Sequence, residues 1–269
     1  MSSGLYVYAV VHNEIAAPEI AGALGTEALT VVPWRGLAAV TRRTNVESTT
    51  RTLDAIRHHE AVVESLLESR AALPVRFGTI FRDPTSLTSA LAEQYDSLTA
   101  DLHRLAGKVE LGLTALWVHP SADDAPTLQP DSVPTTQHAG ALYLRARAAH
   151  LQREETTRER ARAIADTLDQ RLSTLSLERR VQLAPTPRIA LRATYLVERS
   201  GVVEFRTTFE EMRGAQKELR LLLTGPWPPY SFVTRTTIAH DSEPSSHLGE
   251  LTRILEKECG STVAEWPRR

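Results

Sequence analysis

Apolar and polar positions change period several times along the chain, and each change marks an element. Leu5-Tyr6-Val7-Tyr8-Ala9-Val10-Val11 is an unbroken aromatic and aliphatic run, too short for a typical helix, and predicts a buried strand. Thr30 to Trp34 and Leu37 to Thr41 flank Arg35-Gly36, the spacing of a two-residue hairpin loop. From Thr52 to about Arg70, Leu53, Ile56, Ala61, Val63, Leu66 and Leu67 form a helical apolar face. Arg57, Glu60, Glu64 and Glu68 form the opposite one. Leu73 to Phe81 predicts a further strand with Pro74 near its start, where a missing ladder donor does least harm. Asp83-Pro84 ends it, and Thr85 to Leu105 predicts a second helix.

Lys108 to Val118 alternates: Val109, Leu111, Leu113, Ala115 and Trp117 share one side, and Glu110, Gly112 and Thr114 lie on the other, as in a half-buried strand. Residues 119–138 collect Pro120, Pro126, Pro130 and Pro134 among Ser, Asp and Thr, the composition of a flexible surface loop. Ala139 to about Leu177 has no Gly or Pro after Gly140 and predicts one long helix. Its stretch Gln152 to Arg160 is so polar that it must be solvated or face a partner. Ile189 to Val197 predicts a strand, Phe205 to Leu223 a helix and Tyr230 to Arg235 a last strand.

These elements predict an α/β (α+β) protein of two domains. A β-rich α/β domain covers residues 1–107, and a ferredoxin-like domain with the long helix covers 108–239, including the loop 120–138. A polar tail, 240–269, follows, in which Leu248, Leu251, Ile254 and Leu255 are spaced as an amphipathic turn set.

Charge narrows the function classes. The 31 Lys and Arg nearly balance 33 Asp and Glu, so no general field draws nucleic acid or an anionic membrane. The single cysteine, Cys259, forms no intrachain disulfide, which points to the cytoplasm. No secretory signal is visible at the N-terminus, and no apolar run reaches the roughly 18–20 residues of a membrane-spanning helix.

The chemistry-bearing motifs are sparse. No phosphate-binding Gly loop, dinucleotide fingerprint or Gly-x-Ser-x-Gly elbow occurs. His58-His59-Glu60 with Glu64 is the best metal candidate. A zinc-protease helix, however, needs a second His four residues after the first, and Val63 stands there, so the group reads as a polar helix face. Cys259 lacks the neighbours that activate a thiol. Leu5-Tyr6-Val7 and Arg76-Phe77-Gly78 match RNA-recognition strands incompletely, and packing is the better reading of their aromatics. Catalysis, metal, cofactor and nucleic acid are therefore not expected.

Two segments carry a resemblance: Leu73-Pro74-Val75-Arg76-Phe77-Gly78-Thr79-Ile80-Phe81 and Thr224-Gly225-Pro226-Trp227-Pro228-Pro229-Tyr230-Ser231-Phe232-Val233. With the opening strand, the His58-His59-Glu60 helix and Ala193-Thr194-Tyr195-Leu196-Val197, all in order, the chain resembles the GvpL/GvpF family of gas vesicle proteins from about residue 5 to 235. The resemblance implies a non-enzymatic, cytoplasmic accessory or minor structural protein that binds the major shell protein during vesicle assembly, with other accessory proteins as further candidate partners. A small-molecule enzyme or ligand-binding protein on the same ferredoxin-like scaffold is the alternative. Partner-contact candidates are Arg76, a multivalent hydrogen-bond donor, Phe77, and the aromatics Trp227 and Tyr230, of types enriched at interfaces.

Overall fold

A computed structural model describes residues 3–13, 29–45, 52–69, 71–118, 139–183, 188–216 and 218–234. The proline-rich loop, the tail and Cys259 lie outside them. The chain divides into two compact units, Met1–Glu110 with Trp227–Arg269, and Leu111–Pro226.

In the first unit, β1 (Ser3–His12) is the central strand, with β3 (Leu37–Asn45) antiparallel on one side and β2 (Thr30–Trp34) outside β3. Arg35, at φ 50°, and Gly36 make the predicted hairpin turn. Helix α1 (Leu53–Ser69) packs Val62, Val63 and Leu66 onto the face of β1 that carries Tyr6 and Tyr8. The register of β1 on β3 slips between Val7 and Ala9, making Tyr8 the extra residue of a bulge. Because of that slip, Tyr8 and Ala9 both join the same core cluster, which strict alternation forbids.

The expected strand from Leu73 to Phe81 is two short ones, β4 (Ala72–Pro74) and β5 (Ile80–Phe81), both antiparallel to β1. Between them the chain turns at Phe77-Gly78, and Gly78 sits at φ 83°, where a side chain is strained. The second predicted helix is likewise two, α2 (Pro84–Glu93) and α3 (Tyr95–Leu105), divided at Gln94. Asp83 starts α2 with a full capping box to Ser86.

The second unit is built on β6 (Lys108–Trp117), α4 (Ala139–Leu172), β7 (Glu178–Gln182), β8 (Ile189–Glu198), α5 (Val202–Ala215) and β9 (Leu219–Trp227), with the sheet order β7-β8-β6-β9. This βαββαβ order is ferredoxin-like. It contains β7, which the sequence reading lacked. Leu111, Leu113 and Ala115 of β6, Leu191, Ala193 and Tyr195 of β8, and Leu219 and Leu221 of β9 meet Leu168 and Leu172 of α4 and Phe205 and Phe209 of α5. Only the later part of α4 packs: residues 143–156 are exposed, and Ala161 is the first of the described residues along it to be buried.

Two further expectations change. The helix begun near Phe205 stops at Ala215, and Leu219 to Leu223 belong to β9. A run of leucines suits either a buried helix or a buried strand, and the pairing with β6 decides for the strand. Residues 230–233 are a turn rather than a strand, closed by Phe232 N–H to the Pro229 carbonyl at 3.0 Å.

Candidate functional site

The two marked segments meet at α1. The loop Val75–Thr79 hangs from the β1 bulge: Val75 N–H donates to the Tyr8 carbonyl (2.9 Å) and Val7 N–H to the Thr79 carbonyl (3.0 Å). The loop closes on itself where Thr79 donates its N–H and hydroxyl to the Arg76 carbonyl (3.2 and 2.9 Å).

His59, only 1% exposed, is the centre of the arrangement. Nε2 lies 3.0 Å from the Val75 carbonyl, and Nδ1 lies 2.9 Å from the Tyr6 hydroxyl. A carbonyl only accepts, so Nε2 carries the proton, Nδ1 accepts, and Tyr6 donates to it. The Tyr6 oxygen in turn accepts from Gly78 N–H at 3.1 Å. Burial, opposed by that Gly78 bond, pushes the Tyr6 phenol well above its ordinary pKa, so it remains a donor.

Aromatic rings enclose the same histidine. Phe77 meets Tyr6 and His59 edge-on, with centroids 6.1 and 5.7 Å apart, and Tyr230 stacks on His59 at 6.5 Å. The Tyr230 hydroxyl donates to Glu60 Oε1 at 3.2 Å. Burial first, then the Glu60 charge, raises the Tyr230 pKa well above the usual phenol value.

The turn after β9 is held by two buried carboxylates. Glu110, 1% exposed, accepts Ser231 N–H on Oε2 (2.8 Å) and the Ser231 hydroxyl on Oε1 (2.6 Å). Asp101, 3% exposed, accepts Thr234 N–H (2.6 Å) and hydroxyl (3.0 Å), and also the Arg104 guanidinium at 2.7 Å. Arg104 donates as well to the Phe232 carbonyl at 2.6 Å. These pairings bury charge with its donors satisfied.

Sequence reasoning missed Tyr6, Asp101, Arg104 and Glu110 as holders of these motifs. For Glu110 it expected a half-exposed polar side of a strand, and burial beneath Ser231 corrects that. His59 is corrected too. It belongs to the core rather than to a polar helix face, and both its ring nitrogens are engaged with protein groups. Among the described residues, no group of three or more His, Cys, Asp or Glu side chains is placed to hold a metal ion.

Of the four contact candidates, Arg76 is exposed, and Phe77, Trp227 and Tyr230 are half-buried. Phe77 and Tyr230 are brought together around His59, as their contacts require. Trp227 ends β9 with its indole nitrogen buried and without a hydrogen-bond partner. The Tyr6 and Phe77 rings pack against the core cluster rather than lie open as a stacking platform for bases.

The family model described as "Gas vesicle synthesis protein GvpL/GvpF" matches residues 4–234, the span that holds both segments and the helix between them. The chain belongs to the GvpL/GvpF family. Gas vesicle protein F2 of Halobacterium salinarum is 29% identical over 235 residues, covering 86% of this chain and 92% of the relative. Gas vesicle protein L of a Streptomyces species is 30% identical over 249 residues, covering 85% and 92%. The crystal structure of GvpF from Microcystis aeruginosa superposes with a TM-score of 0.67 at 21% identity, covering 86% of this chain and 99% of that one. GvpF from an Anabaena species gives 0.65 at 19%, covering 90% and 100%. This GvpL/GvpF chain therefore shares the mixed helix-and-sheet fold of those proteins. None of its described helices is long and apolar enough to cross a membrane.

Proposed function

We propose that this GvpL/GvpF protein binds the major gas vesicle shell protein in the cytoplasm and supports vesicle assembly, as an accessory factor or a minor wall component, without catalysing a reaction. The observation that carries this reading is how the motif residues are used. His59, Glu60, Asp101 and Glu110 spend their polar atoms on fixing two loops. The result is a rigid mount that presents the exposed Arg76 beside Phe77, rather than a reactive centre. A fixed arginine next to an aromatic edge suits a protein contact, where loops ordered in advance lower the entropy of binding. Trp227 and Tyr230 complete the candidate contact set, and other vesicle accessory proteins are further candidate partners.

A pull-down with unassembled shell protein tests the reading. Arg76→Glu is expected to weaken binding with a smaller loss of melting temperature than Tyr230→Ala, because Arg76 is exposed. Loss of a hot-spot arginine costs about 2–4 kcal/mol, or roughly 30- to 1000-fold in affinity. Tyr230→Ala is expected to lower both binding and melting temperature. Failure of well-folded wild-type protein to bind unassembled shell protein would falsify the proposal.

A further inference from the structure

The edges of the two sheets are not alike. In the first unit, β2 carries Pro33, which has no N–H to offer, and β4 and β5 have three and two residues. In the second unit, the edge strand β7 is short and reads Glu-Arg-Arg-Val-Gln, a charged sequence that resists pairing. The opposite edge, β9, is nine residues long and begins Leu-Arg-Leu-Leu-Leu. Before Pro226 it has no proline, and its one charged residue is Arg220.

The backbone of β9 offers a defined window. Val118 N–H donates to the Glu218 carbonyl at 3.1 Å and the Thr224 hydroxyl to the Gly112 carbonyl at 3.3 Å, so β9 runs antiparallel to β6 with Glu218 and Thr224 facing it. In such a ladder alternate residues face the partner strand, so the N–H and C=O groups of Leu219, Leu221 and Leu223 point outward. The window is bounded at one end by Arg206, which donates to the Gly225 carbonyl. A groove of about 440 Å³ runs along the other end, lined by Val118, Arg213, Leu219, Arg220, Leu221 and Leu222. Among the described residues the lining contains two arginines and no carboxylate. Nearby, Glu218 is paired with Arg160 at 3.0 Å and Arg213 with Glu210 at 2.9 Å, which leaves Arg220 as the cation of the groove.

We infer that β9 is a docking edge that accepts an extended segment of a partner protein as a fifth strand, with alternating apolar side chains and at least one carboxylate facing Arg220. Main-chain bonds to Leu219, Leu221 and Leu223 supply the pairing, and the apolar groove with Arg220 selects the sequence. The inference rests on the shell-protein reading for one of its two probes only.

Hydrogen exchange of the full chain, read by mass spectrometry, tests it with two probes: unassembled shell protein, and a capped octapeptide alternating Val with Glu. Slower exchange across residues 219–223 is expected with both. The protection is expected to vanish with a peptide alternating Val with Lys. Arg220→Glu is expected to weaken the Val-Glu peptide about tenfold or more by placing like charges together, with unchanged melting, since Arg220 is exposed. Shell-protein binding that protects other residues and leaves 219–223 unchanged overturns the docking edge while the shell-protein reading stands. Peptide protection without shell-protein binding supports the edge and defeats that reading. No protection by either probe overturns the edge.

Discussion

Tyr6 donates its phenol hydrogen to Nδ1 of His59 across 2.9 Å, joining the central strand to α1. The bond matters because each partner then reaches the same loop: His59 through the Val75 carbonyl and Tyr6 through the Gly78 N–H. The conformation of Val75–Thr79 is thus written into two side chains far from it in sequence. Three segments become one cooperative unit.

The first consequence is for stability. His59→Ala strands a buried carbonyl and a buried hydroxyl and is expected to cost about 2–4 kcal/mol. Tyr6→Phe keeps the ring and removes only the hydroxyl, for about 1–2 kcal/mol. Urea unfolding followed by circular dichroism measures both. Midpoints unchanged from wild type for His59→Ala would contradict the assigned role.

The second concerns the turn after β9. Glu110→Gln replaces one of the two oxygens that accept from Ser231 with an amide donor and removes the charge, and Asp101→Asn does the same to the carboxylate that accepts from Thr234 and Arg104. Each charge-assisted bond lost is worth about 1.5–3 kcal/mol, so local opening should rise roughly tenfold or more. Chymotrypsin cleavage after Tyr230 or Phe232 is expected to quicken accordingly. Ser231→Ala keeps the backbone donor and is expected to have a smaller effect. Equal cleavage rates in wild type and Glu110→Gln would show that the carboxylate does not hold the turn.

The third is a pH dependence. The Ser86 backbone N–H, followed by its hydroxyl and the nearby Arg82, holds the Asp83 carboxyl below its ordinary pKa of 3.8. A depressed folded pKa contributes stability above the unfolded value and loses it as pH falls through the folded one. Wild type is therefore expected to melt above Asp83→Ala at pH 7, with the gap narrowing below about pH 4. Asp83→Asn, which can still cap, should remove the pH dependence of that advantage. A gap that stays constant from pH 7 to the acid limit would exclude the ionised cap.

Much of the architecture was legible because local physics decides it. The run Leu5–Val11 is too apolar and too β-prone to be anything but a buried strand, and the spacing of Leu53, Ile56, Val63 and Leu66 requires a helix with one apolar face. Arg35-Gly36 marked its hairpin, Asp83-Pro84 its helix start, and the two motifs their family. Elements with equal local credentials were not separable. Leu219–Leu223 suits a helix or a strand, and only pairing with β6 chooses. The exposed β7, with no apolar alternation, has no signal at all. Nor does sequence spacing say which way a polar side chain turns. His59 and Glu110 look like surface residues until the packing of Phe77, Tyr230 and Ser231 around them supplies the hydrogen bonds that make their burial tolerable. The chain by itself determined the strongly patterned strands and helices and the family to which they belong. Tertiary structure alone decided that residues about 150 positions apart share one histidine, because burial and hydrogen-bond satisfaction are properties of the neighbours and not of the residue.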